Sequence, residues 1–166
     1  MRNFLESSCS DLYKSAIKAF PNTTKRQNAI DPIVIKELRW TPFVGMKTML
    51  IRGLAENTHE NTMYNTLFLF KNIDYDKKDL PITVSTGKKY EIGKVSFENN
   101  DVLLRCNCKD FKWRFNYYNH LDKSLYGRKR APYYGEGAPA NPMELPGMCK
   151  HLMKTMKVLY EAGLFQ

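Results

Sequence analysis

A chain of 166 residues, 43% hydrophobic and 26% charged, has the length and make-up of one globular domain, or of one domain with an appended arm. No apolar run approaches the roughly 18 residues that cross a bilayer, and residues 1–7 offer no apolar signal core, so neither membrane insertion nor secretion through such a signal is expected. The net charge of +9 favours a polyanionic partner without sequence specificity, and it divides into +4 over residues 1–100 (15 basic, 11 acidic) and +5 over 101–166 (11 basic, 6 acidic).

In chain order, residues 10–20 predict a helix. Ser10 or Asp11 caps it, Leu12, Ala16, Ile17, Ala19 and Phe20 give an apolar side, and Pro21 stops it. Residues 22–28 are polar and aperiodic, a loop or linker. Residues 1–30 therefore form a helix or arm, either docked on its own domain or reaching a neighbouring subunit. From Ile33 to Ala55 the β-branched and aromatic residues favour strands, punctuated by Pro42 and Gly45, although Met46, Met49, Leu50 and Ile51 also fit a short helix. His59, beside Glu60 in the polar stretch 56–62, could serve as a base or metal ligand; an exposed loop histidine is the blander reading. Residues 64–70 predict a central strand. Residues 81–85 and 89–97 flank Thr86-Gly87-Lys88, a hairpin signal, and 94–97 with 102–106 predict a second hairpin across the polar turn 98–101. The expected fold class is α+β: an antiparallel meander of about four strands in the β-rich region 31–105, an N-terminal helix, and a C-terminal metal-stapled unit.

That unit, residues 106–166, packs with 31–105 as one compact domain in this reading. Three of the four cysteines and one of the three histidines form two tight pairs, Cys106-x-Cys108 and Cys149-x-His151. Three thiolates and one imidazole complete a tetrahedral shell for a single structural Zn²⁺, with no position left for water. The second pair follows Pro146-Gly147 and enters a helical pattern: Met148, Leu152, Met153, Met156, Leu159 and Tyr160 recur at three- and four-residue steps, and Gly163 stops it. The alternative is a set of reduced, buried cysteines beside an unrelated helix histidine. Cys9 is left over as a reduced thiol on a short helix, and His120 lacks a paired ligand at a suitable spacing.

The order Cys-x-Cys…Cys-x-His, with a hairpin before it and a helix at its end, resembles the SWIM-type zinc finger over residues 88–163. The resemblance implies that Cys106, Cys108, Cys149 and His151 are the ligands. The intervening residues 109–148 are longer than usual for that family, so they must fold on their own or pack against the first 90 residues.

In that insert, Phe111, Phe115 and Tyr118 share one helical face, and Trp113 and Tyr117 another. They read as core for the metal-bound unit, as stacking platforms for bases with Lys109, Lys112 and Arg114 against phosphates, or as a protein interface. Arg128-Lys129-Arg130 presents three adjacent cations. Residues 131–146 hold four prolines and two glycines, an irregular segment suited to lying along a neighbouring surface. No phosphate loop, nucleophile elbow, His-Glu-x-x-His or recognisable carboxylate pair is present, so neither an enzyme nor a small-molecule substrate is expected.

The wider string also resembles small proteins encoded by tailed bacteriophages. It runs from Cys106-x-Cys108-x-Asp110-Phe111-x-Trp113-x-Phe115 through Asn119-His120, Tyr126-Gly127 and Pro132-Tyr133 to Asn141-Pro142 and Pro146-Gly147-x-Cys149-Lys150-His151-Leu152. The resemblance implies a virion part in head, neck or tail. The expected function is a non-enzymatic, zinc-stabilised structural or adaptor subunit of a phage particle, contacting other virion proteins or copies of itself. The alternative is a SWIM-type DNA- or RNA-binding protein acting through Lys109, Lys112, Trp113, Arg114, Arg128, Lys129 and Arg130.

Overall fold

The chain is described here from a computed structural model covering residues 6–21, 32–135, 137–163 and 165; the loop expected at 22–28 lies outside the described residues. Helix α1 (Cys9–Ala19) starts earlier than its expected cap, because Ser8 rather than Ser10 or Asp11 takes that position. The Asp11 N–H donates to Ser8 Oγ (3.3 Å) while the Asp11 carboxylate accepts the Ser8 N–H (3.0 Å). This reciprocal capping box satisfies two donors at the helix start. Cys9, Leu12, Ala16 and Ala19 form its buried side. The helix docks on its own chain: the Ser10 N–H donates to Phe97 O and Ser15 Oγ to Pro146 O (2.6 Å).

Four antiparallel strands make the main sheet: β1 (Ile33–Phe43), β2 (Thr48–Asn57), β3 (Thr62–Phe70) and β6 (Val102–Cys106), in the order β1-β2-β3-β6. The segment that also suited a helix is strand β2. Met49 and Ile51 on one side and Leu50 on the other are all buried, so period-two burial on both faces of a central strand decides it. The architecture is the expected α+β, with different membership of the sheet. Strands β4 (Leu80–Thr83) and β5 (Lys89–Ile92) form the expected hairpin, with Gly87 at φ +85° in its turn, but as a separate two-stranded sheet.

The second hairpin is not formed. Residues 94–97 pair with no part of β6, which lies against β3 with Cys106 opposite Thr66. The reason is local. Asn100 Oδ1 accepts the Ser96 N–H (2.8 Å) and Ser96 Oγ accepts those of Glu98 and Asn99, so side chains take the bonds a ladder needs. Val95 and Phe97 instead enter the core.

One face of the sheet carries Leu38, Trp40, Met49, Ile51, Phe68, Phe70, Val102, Leu104 and Cys106 into the core. Helix α3 (Lys150–Glu161) lies on that face, and His151, Leu152, Met153, Thr155 and Leu159 are its buried side. Tyr160, expected on that apolar side, is 60% exposed. Gly53 lets the helix approach: a Cβ there would lie 2.4 Å from Thr66 Oγ1 and 3.3 Å from Thr155 Cγ2. Those two threonines bond to each other (3.0 Å), and Thr155 Oγ1 donates to His151 O (2.8 Å).

The insert folds against this frame. A π-helical turn (Phe111–Phe115) runs into α2 (Asn116–Leu121). Residues 124–126 extend the sheet beside β6, with the Leu104 N–H donating to Ser124 O and the Tyr126 N–H to Leu104 O. The proline-rich segment is irregular except for a two-residue ladder, β7 (Tyr134–Gly135) with β8 (Ala138–Pro139). Among the described residues no helix is long and apolar enough to cross a membrane.

Candidate metal centre

Three elements position the four ligands: the end of β6, the π-helical turn and the start of α3. Cys106 ends β6 with its side chain on the helix-covered face. At Asn107 the chain turns out of the sheet, and Asn107 Oδ1 accepts the Asn65 N–H (2.9 Å). Cys108 then leads into the π-helical turn. Its carbonyl accepts the Lys112 N–H, and its Sγ accepts the Phe111 N–H at 3.3 Å. Cys149 is the N-cap of α3 in extended conformation (φ −81°, ψ 172°), and His151 stands in the first turn.

The approach to Cys149 is fixed by Asn119, which is fully buried. Asn119 Nδ2 donates to Gly147 O (2.9 Å) and Asn119 Oδ1 accepts the Gly147 N–H (2.8 Å). Gly147 is sterically required: a Cβ would lie 2.6 Å from the Phe115 ring and 2.8 Å from Ala16 Cβ.

The four side chains are buried, and their ligand atoms all lie within 4.8 Å of one another. Bond lengths of about 2.3 Å to sulfur and 2.0 Å to nitrogen put tetrahedral ligand atoms roughly 3.5–3.8 Å apart. The 3.9 Å from Cys149 Sγ to His151 Nδ1 fits that spacing. His151 packs on the Tyr64 ring (centroids 4.5 Å apart), and its Nε2 is buried without a hydrogen-bond partner.

The thiols point the same way. Burial pushes Cys106 and Cys149 well above the ordinary thiol range, whereas Cys108 is pulled far below it, first by the Cys106 thiol and then by that of Cys149. Alone, the cluster therefore favours one thiolate stabilised by two thiols. A bound cation would let all three ionise in so small a volume. The buried Cys₃His cluster can thus hold a metal ion, with protein donors at all four corners.

The other sulfur and imidazole candidates stay apart. Cys9 is wholly buried in α1, and desolvation raises its pKa well above normal, which suppresses the thiolate. His59 and His120 are exposed and outside the cluster.

Among the expected contact residues, three converge. Lys112 Nζ stands 4.6 Å over the Trp113 ring, Arg130 Cζ lies 5.9 Å from it, and Tyr133 packs on Trp113 with centroids 4.8 Å apart. Arg114 turns away, pairing with Asp110 (2.6 Å) and lying over Phe20. Lys109, Arg128 and Lys129 are exposed. Phe111, Phe115 and Tyr118 are buried, so that face of the aromatic run is core. Asn119 and Arg105 were not identifiable from spacing. Arg105 Nη1 donates to Tyr126 O (3.1 Å) and Arg128 O (2.9 Å), tying the insert to β6. Comparison of the chain with protein-family models, with curated proteins and with solved structures finds no match.

Proposed function

We propose that this chain is a non-enzymatic, zinc-stabilised structural or adaptor subunit of a phage particle, working through contacts with other virion proteins or copies of itself. One observation supports the non-catalytic part: the cluster gathers four buried protein donors within 4.8 Å of one another, enough to close a tetrahedral shell. A closed shell has no place for a reacting water or substrate, and three sulfurs with one imidazole suit zinc. The ion's work is then to join the end of β6 to the start of α3. The SWIM-like order of ligands and the following helix support a centre of that type, although the strand that ends in the first ligand pair lies against β3 and not in a hairpin with residues 94–97.

The phage assignment rests on the resemblance of the 106–152 string. The contact role is supported by the proline-rich segment. It is anchored by Asn141, whose Nδ2 donates to Arg114 O (2.9 Å) and Leu145 O (2.7 Å). Tyr133, Tyr134 and Met143 remain 46–56% exposed. Metal analysis and native mass on protein isolated from its source test the reading together. One zinc per chain in a large, salt-resistant complex is expected; a free monomer refutes the subunit role, and absence of metal refutes the staple. A second reading, nucleic-acid binding, is favoured by the convergence of Lys112, Arg130, Trp113 and Tyr133.

A further inference from the structure

Behind that convergence lies a hollow of about 110 Å³ lined by Arg105, Cys106, Asn107, Lys112, Asn116 and Arg130. It is several times what one water molecule needs. Its chemistry is one-sided. Asn107 Oδ1 is already taken by the Asn65 N–H and Asn116 Oδ1 by the Arg130 N–H (2.7 Å). Because backbone N–H groups can only donate, both amide orientations are fixed, and each asparagine has its –NH₂ left over. Arg105 uses only Nη1 on carbonyls, which leaves the rest of its guanidinium. Lys112 and Arg130 add two cations, and no carboxylate lines the hollow among the described residues. A recess with three cations and two amide donors, and with no free side-chain oxygen, matches a tetrahedral oxyanion. Two of its cations, Lys112 and Arg130, flank the Trp113 ring, and Tyr133, packed on that ring, is 46% exposed and offers an aromatic face beside them.

We infer that this recess binds a nucleotide unit, with the phosphate held by Arg105, Lys112 and Arg130 and the base stacked on Tyr133. The inference rests on the nucleic-acid reading and gives it an address. A free nucleotide and a single strand share this chemistry, so the test has both arms.

The zinc-loaded 166-residue chain is titrated with fluorescein-labelled oligothymidylate and with thymidine monophosphate, over a range of salt. The variants are K112A/R130A, which keeps the Arg130 N–H bond to Asn116, and Y133A. Binding of the oligomer by wild type is expected, with K112A/R130A weaker by about tenfold or more and its log–log salt slope smaller by roughly 1.4, or 0.7 for each lost phosphate contact. Y133A should weaken binding by about tenfold without moving the slope. Binding of the monophosphate alone, lost in K112A/R130A, also supports the recess and makes free nucleotide its ligand. Oligomer binding that both variants retain overturns the recess and leaves the broader reading standing. No binding of either probe by wild type overturns both. Loss of zinc in K112A/R130A overturns the recess too, since its cations then serve the metal centre.

Discussion

Asn119→Ala tests whether the metal centre depends on how its second ligand pair is delivered. The side chain holds both polar groups of the Gly147 backbone at 2.8 and 2.9 Å, in a site with no exposure at Asn119. Truncation to alanine leaves a buried N–H and a buried C=O unpaired, each costing about 1–3 kcal/mol, so the loss is roughly 2–6 kcal/mol. In a chain of this length that lowers the melting temperature on the order of 10 °C. Circular dichroism on the metal-loaded protein reads the stability, and transfer of metal to a chromogenic chelator reads the centre. Faster transfer is expected, because residues 147–149 lose their anchor to α2. A variant that melts within a degree or two of wild type and releases metal at the same rate refutes the reasoning.

Gly53→Ala should destabilise by about 1–3 kcal/mol, since its Cβ meets Thr66 Oγ1 and Thr155 Cγ2 where α3 crosses the sheet; chemical denaturation checks it. Metal binding at neutral pH should release about two protons, because the Cys106 and Cys149 thiols are raised by burial while Cys108 is already the thiolate. The sign follows: affinity falls as pH drops, and calorimetry in buffers of different ionisation enthalpy counts the protons. Asp122 is raised chiefly by burial, a carboxyl whose folded pKa lies above its unfolded one, so it weakens the fold above that pKa and not in acid. Asp122→Asn should therefore raise the melting temperature at neutral pH, and the gain should vanish below the usual aspartate range.

What the sequence made legible was chemistry carried by residue type at short range. Two ligand pairs, each one residue apart, need only a local turn to aim both members the same way. Helical period likewise put Phe111, Phe115 and Tyr118 on one face, and all three are buried. Pairing between strands was less legible. Val95 and Phe97 alternate like a strand, but Ser96 and Asn100 bond the backbone of their own turn, and only the fold offers β6 the longer apolar strand β3. Asn119 was invisible for a different reason. Its partner Gly147 is 28 residues away, and a buried asparagine paired to a distant backbone has no periodicity.

The insert explains why a staple belongs at this point. Residues 109–148 leave β6 and return to α3, and fixing so long a loop costs conformational entropy that grows only slowly with length. Most of the cost is incurred in ordering the chain at all, so the insert must carry its own contacts. Asn119, Asn141, Ser15 and Arg105 supply them, each bonding one or more main-chain groups of or across the insert. The four-ligand centre then closes the loop at its root, where Cys106 and Cys108 leave the sheet and Cys149 enters the helix. Removing the ion should therefore loosen the insert and the start of α3 first, while β1, β2 and β3 keep their mutual pairing, because no ligand lies on those strands. Hydrogen exchange with and without chelator reads that division, and uniform loss of protection across the sheet would mean that the centre supports the whole core.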